Sequence, residues 1–276
     1  MMPFDNMGVS TMSDYDRNVT TAPFGQTMGR AGATVAVDEG LRAYMLRIYN
    51  YMVLGLAITG AAALATYMFS VTTDPTLAAL KLRDGLMLTA LGKALFVSPL
   101  KWVVIFAPLA LVFLLSFAID RMRPATAQIV FWIYAALVGV SLASIFLVFT
   151  HTSIVRVFFI TAASFGALSL WGYTTQRDLT GMGSFLLMGL FGIILASIVN
   201  IFMASSMLQF IISVVGVLVF AGLTAWDTQR LKTEYLYGAM DGETAERSSI
   251  IGALSLYLNF INLFTLLLQL LGQREE

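Results

Sequence analysis

Seven long apolar runs restrict this chain to one solvent, the lipid bilayer. They extend approximately from Ile48 to Val71, Trp102 to Ile119, Ala127 to Thr150, Ile154 to Gly172, Ser184 to Met203, Met207 to Trp226 and Ile250 to Leu271. A hydrocarbon core about 30 Å thick is crossed by roughly 20 residues rising about 1.5 Å each, so each run is one span. Each span must be helical, because an unpaired peptide group in lipid costs several kcal/mol. The runs are also too continuous for the alternating strands of a barrel. Only Ala204, Ser205 and Ser206 separate the fifth run from the sixth. One helix through both would be about twice the bilayer thickness, which predicts two spans and a tight turn. With 12% charged residues, against about 25% in soluble domains, a water-soluble bundle would lack the charge to cover its surface. The fold expected is an all-α polytopic membrane protein of seven transmembrane helices, residues 41–276, behind a flexible polar tail, residues 1–40. A short amphipathic lead-in helix is expected from Val37 to Arg47.

Placement of aromatic and basic residues refines this. Trp102 and Trp132 lie near span starts, and Trp171 and Trp226 at span ends, the headgroup level that amphipathic rings prefer. With the N-terminus inside, the cytoplasmic side holds Arg17, Arg30, Arg42, Arg47, Arg121, Arg123, Arg177, Arg230, Lys232 and Arg247. Lys81, Arg83, Lys93, Lys101, Arg156 and Arg274 fall outside. Arg42, Arg47, Arg121 and Arg123 flank the early spans, whose charges dominate orientation, so N-inside and C-outside is expected. A formal net charge of zero gives no footprint for nucleic acid. The absence of cysteine excludes disulfides, thiolate metal sites and cysteine nucleophiles.

Function in such a chain is sought where polar groups sit at membrane depth. The last span carries Ser255, Asn259 and Asn262, spaced four and three apart and therefore on one helix face. Asn259 lies about nine residues beyond Ile250, near the bilayer middle, which predicts that the seventh helix is central and sheathed by the others. Asp227 is the acid within reach of the core, in the stretch Thr224-Ala225-Trp226-Asp227-Thr228-Gln229-Arg230. Two readings stand for it: an interfacial carboxylate paired with Arg230 at i+3, or a titratable group lining a pore. The second gains if the sixth span shifts to about Ile211–Leu231, since Asp227 otherwise lies up to about 10 Å shallower than Asn259. Ser141, Ser144, Thr161, Ser164, Ser197 and Asn200 are expected to bond between helices or back to carbonyls. Enzyme readings lack parts. His151 is the single histidine, and the chain contains neither an H-E-x-x-H helix nor a G-x-S-x-G elbow. The last span also has no lysine for a retinal Schiff base.

Two stretches resemble a known family. They are Ala221-Gly222-Leu223-Thr224-Ala225-Trp226-Asp227-Thr228-Gln229 with Leu231-Lys232, and Gly252-Ala253-Leu254-Ser255-Leu256-Tyr257-Leu258-Asn259-Phe260-Ile261-Asn262-Leu263-Phe264. Leu142–Phe146 and Phe165–Leu179 support them. The chain resembles the Bax inhibitor family of transmembrane Bax-inhibitor-motif proteins, in its bacterial branch, from about Gly40 to Gly272. The resemblance implies a last helix between two three-helix groups, in the plasma (inner) membrane. It also implies a proton-sensitive calcium leak latched by two aspartates, one each from the sixth and seventh helices. Asp227 matches the first, but Asn259 stands where the second is expected. Two close carboxylates share a proton, whereas an Asp–Asn pair has no second proton to share. One negative charge in place of two also weakens the hold on a hard cation.

The expected function is therefore a cation leak channel with an altered Asp227/Asn259 gate. Asn262, Ser255 and Arg230 are expected along the ion pathway, with Asp227 as a weak metal contact. No resident cofactor is expected; calcium would be the transported species. The alternative is a non-transporting regulator that binds other membrane proteins such as a membrane protease, as some bacterial relatives do. In both cases the constant partner is the lipid bilayer.

Overall fold

The computed structural model describes the backbone of residues 24–83, 86–118, 122–238 and 242–275, and their side chains except those of 24–38, 83 and 116–118. Expectations for residues 1–23 fall outside the described residues. Helix α1 runs from Phe24 to Ser70, and Leu41–Glu276 forms one compact unit. After α1 come three short strands, β1 (Val71–Thr72), β2 (Leu80–Arg83) and β3 (Leu86–Leu88). They pair antiparallel in the order β1-β3-β2, with Val71 opposite Leu88 and Leu80 also opposite Leu88. This small sheet is a departure from the all-α expectation, confined to the polar loop after the first span. Helices α2 (Ala90–Phe96) and α3 (Leu100–Ala118) follow, bent by 61° at the break between them. The bend falls at Ser98-Pro99, since Pro99 has no amide proton to continue the ladder.

The remaining helices are α4 (Pro124–Leu142), α5 (Ile145–Val148), α6 (His151–Thr174), α7 (Thr180–Met203), α8 (Ser206–Tyr237) and α9 (Gly242–Leu271). Among the described residues six helical stretches are each long and apolar enough to cross a bilayer, or seven with the bent α2–α3 pair taken as one span. The third span, Pro124–Val148, crosses as one stretch with a local irregularity between α4 and α5. Its ladder tightens at Ala143 and Ser144, where Phe146 N donates to Ala143 O and Leu147 N to Ser144 O. The α7–α8 connection is the tight turn expected from Ala204 to Ser206. Ala204 adopts a left-handed conformation at φ 49°, its amide closing on Asn200 O, and the Ser205 hydroxyl caps α8 by accepting from Leu208 N.

The last helix is the core of the bundle. Two thirds of its most apolar window is buried (67%), against 39% for α8 and 11% for α7. It packs against α8, α6 and α4. Tyr257 is fully buried between the edges of Phe131 and Tyr134, and its hydroxyl meets Thr59 Oγ1 of α1 at 2.6 Å. A polar atom at that depth needs a partner, and this one binds α1 to α9. Beyond α9, Thr150 N donates to Gln273 O and Glu275 N to Val148 O. The end of the chain is thereby strapped across the α5–α6 junction.

One close approach sets the position of α8. A Cβ on Gly172 of α6 would lie 2.2 Å from Ala225 O and 2.8 Å from Ala225 Cα. The two backbones touch at that point, and only glycine fits. Gly60 and Gly192, by contrast, have nothing within 4 Å of a built Cβ.

Candidate functional site

Asp227 and Asn259 meet. The α8 helix continues ten residues past Asp227 because Thr228-Gln229-Arg230-Leu231-Lys232 contains no helix breaker and mostly good helix formers. It ends at Gly238, whose amide closes on Glu234 O. At 32 residues α8 is about 48 Å long, longer than the hydrocarbon core is thick. The sixth span therefore extends past its expected end at Trp226, and Asp227 lies at the same level as Asn259. Within the helix, Thr224 and Thr228 turn their hydroxyls back onto Phe220 O and Thr224 O, both at 2.8 Å.

The carboxylate is held on both oxygens. Asn259 Nδ2 donates to Asp227 Oδ2 at 2.7 Å, and Arg230 Nη2 lies 2.8 Å from Asp227 Oδ1. Asp227 and Asn259 are 6% and 5% exposed, whereas the Arg230 side chain is 42% exposed. The i+3 spacing puts Arg230 one turn nearer the helix end on the same face. From there it neutralises a charge that would cost several kcal/mol if buried alone. The guanidinium stacks over the Trp226 ring at 5.0 Å and donates to Ser255 Oγ at 3.3 Å. Ser255, Asn259, Asp227 and Arg230 thus form one connected cluster across the α8–α9 seam. Asn262 does not join it: its amide donates to Leu258 O of its own helix at 2.8 Å.

Neighbouring contacts lock the cluster in place. Gln229 Nε2 donates to Arg177 O at 2.7 Å, and its Oε1 accepts from Leu179 N at 2.8 Å. Lys232 Nζ donates to Tyr173 O at 2.9 Å and sits over the Tyr173 ring. Both contacts tie the α6–α7 turn to α8. In that turn the Thr180 hydroxyl and amide hold the exposed Asp178 carboxyl below the usual carboxylate range. A polar cavity of about 870 Å³ opens here, lined by Asp178, Trp226, Gln229, Arg230, Thr233 and Glu234 among others. Arg230 therefore stands between this cavity and the buried carboxylate. Among the described residues no three His, Cys, Asp or Glu side chains gather as metal ligands.

The sequence patterns missed three further polar contacts. Tyr49, Ser169 and Thr228 form a hydroxyl chain from α1 through α6 to α8, at 2.6 and 2.9 Å. Tyr44 meets Ser248 at 2.7 Å, and Ser248 donates to Glu234 at 3.0 Å. At the far end of α8, Gln209, Ser213 and Gln269 join with Asn200. Each links residues far apart in sequence, so helical spacing could not reveal them. Thr161 and Ser197 bond back to Val157 O and Ile193 O, as expected of structural hydroxyls.

The sequence profile described as inhibitor of apoptosis-promoting Bax1 matches residues 41–276, the whole helical bundle. The chain belongs to the Bax inhibitor family. Bacterial relatives cover nearly its full length. An uncharacterized protein of Caulobacter vibrioides is 44% identical over 96% of this chain and 100% of its own. One of Rickettsia prowazekii is 43% identical with the same coverage. The inner membrane protein YbhL of Escherichia coli is 40% identical over 89% of this chain and 98% of its own. As a Bax inhibitor family member this is a multi-pass integral membrane protein, and the Asp227–Asn259 pair joins two spans of its bundle.

Proposed function

We propose that this Bax inhibitor family protein is a cation leak channel of the bacterial inner membrane, with calcium as the transported ion and Asp227, Asn259 and Arg230 as its gate. The observation that carries the reading is the buried Asp227 carboxylate, bridged to Asn259 and capped by Arg230 beside a polar cavity. A carboxylate kept at membrane depth at such desolvation cost is a functional feature by default. Arg230 is the closed latch, since its positive charge occupies the oxygen that a cation would need. Asn259 orients the other oxygen.

Calcium uptake into liposomes tests this. Wild-type protein should conduct above protein-free vesicles. Arg230→Gln should conduct several-fold faster, because the carboxylate is then open to the cavity. Absence of wild-type uptake, or an Arg230→Gln rate equal to wild type, would refute the reading.

The amide at 259 carries its own prediction. Asn259→Asp places two carboxylates within hydrogen-bonding distance, and they must then share a proton. Uptake by that variant should vary far more steeply between pH 6 and 8 than uptake by the wild type. Equal steepness would mean that Asn259 does not set the proton response.

The alternative of a non-transporting regulator is favoured by one observation, the 11% burial of α7. That span leaves most of its surface for lipid or for another membrane protein. Capture of a membrane protease that survives Asp227→Asn, with no calcium uptake in the wild type, is the outcome that reading requires.

A further inference from the structure

Following the α8–α9 seam away from Asp227 reveals a second polar station with a dry interval between. The helices run antiparallel, pairing Arg230 with Ser255, Asp227 with Asn259, and Ser213 with Gln269. From Asp227 to Ser213 is 14 residues on α8, about 21 Å. Between them α8 carries Leu223 and Phe220 and α9 carries Leu263 and Leu266, all buried. The intervening polar side chains are turned inward on their own helices: Thr224 bonds Phe220 O, and Asn262 bonds Leu258 O. Within this interval the seam closes tightly at Gly216, where a built Cβ would lie 2.7 Å from Leu266 Cδ1.

The far station is composed of neutral oxygens and amides. Gln269 Oε1 accepts from Ser213 Oγ at 2.9 Å and from Gln209 Nε2 at 2.5 Å. Gln209 Oε1 accepts from Asn200 Nδ2 at 3.0 Å, and Asn200 Oδ1 accepts from Ser205 N at 3.0 Å. Each amide oxygen is engaged by a neighbour, so the station links α7, α8 and α9 while its Gln269 end meets the surface. The Ser213 side chain is buried within it, whereas Gln269 is exposed.

We propose that the cation route follows this seam, that Leu266 seated against Gly216 is its plug, and that Gln209, Ser213 and Gln269 form the station beyond the plug. The proposal rests on the channel reading above and adds the location of the barrier. Until Ser213, a hydrated cation leaving Asp227 meets apolar side chains and the polar groups of Thr224, Asn262 and Thr265, each already bonded to its own helix. A dry interval of that kind blocks conduction by dewetting. In this closed arrangement Gly216 lets Leu266 approach the opposite backbone closely, and shortening Leu266 opens a gap that water can enter.

The chain contains no cysteine, so one introduced thiol reports water access at one position. Ser213→Cys is made alone and with Leu266→Ala, in sealed vesicles. A charged, membrane-impermeant thiol reagent is added on either side. Ser213→Cys alone should react only from the Gln269 side. With Leu266→Ala it should also react from the Arg230 side, and Leu266→Ala alone should raise calcium uptake several-fold. Leu266→Val, a smaller truncation, should move both readouts the same way by less, should the alanine variant fold poorly. Labelling from both sides with Leu266 intact, or no change on truncation, overturns the proposal. Wild-type calcium uptake that truncation leaves unchanged sinks the plug and spares the channel reading. New labelling with no calcium uptake in any variant sinks the channel reading and spares the barrier.

Discussion

Calcium uptake by Asp227→Asn is expected to fall to the level of protein-free liposomes, a loss of at least about tenfold. The substitution is nearly isosteric, so packing changes little, but the electrostatics of the seam reverse. Asp227 is the carboxylate of the cluster, and Arg230 is bound to it at 2.8 Å. With an amide in its place, the charge left within the Asp227–Asn259–Arg230–Ser255 cluster is the guanidinium, which repels cations. Two unit charges 4 Å apart interact by about 4 kcal/mol at an effective dielectric of 20. Even a third of that is a tenfold change in occupancy. The fold should tolerate the change, because Arg230 is half-exposed and can turn to the adjoining cavity. Elution as a single species with a wild-type melting temperature would check this. Asp227→Glu keeps the charge and displaces it by one methylene, so intermediate uptake is expected. Wild-type uptake by Asp227→Asn would remove Asp227 from the route. Retained capture of a membrane partner by a transport-dead variant would separate the two activities.

The parts of this architecture that the sequence made legible are those that lipid enforces locally. Apolar runs had to be helices, because no other backbone arrangement pairs its own amides in lipid. The polar face at Ser255 and Asn259 had to be sheathed, which placed α9 at the centre. What escaped was set by tertiary contact. Asp227 looked shallow because the apolar run stops at Trp226, but α8 continues through polar residues to Tyr237. From Asp227 to Leu231 it still packs on α6 and α9, and the helix becomes largely exposed only from Thr233 onward. Asn262 shares the spacing of Ser255 and Asn259, yet a helix face is wider than a two-helix contact, and its amide turns back to Leu258 O. Gln209 and Gln269 sit near span ends, where glutamine is unremarkable in sequence. Only the antiparallel register of α8 and α9 brings them together. The sheet from Val71 to Leu88 also gave no signal, being short and partly buried against neighbouring strands.

Gly172→Ala is expected to lower the melting temperature in detergent by about 5 °C or more. Gly172 is where α6 and α8 touch backbone to backbone. The added methyl would sit 2.2 Å from Ala225 O and 2.8 Å from Ala225 Cα. Neither atom can rotate aside as a side-chain end could. The helices must part, at a cost of about 1–3 kcal/mol or more for overpacking. Separation would also stretch the Ser169–Thr228 hydrogen bond one turn away, now 2.9 Å. It would draw the backbone beside Asp227 out of register with Asn259. Gly166→Ala on the same helix supplies the control. Nothing lies within 4 Å of its built Cβ, and alanine is the better helix former by about 1 kcal/mol, so that variant should melt at or slightly above wild type. Equal melting of the two alanine variants would mean that α6 and α8 are not held at backbone contact. The position of Asp227 would then need some other support.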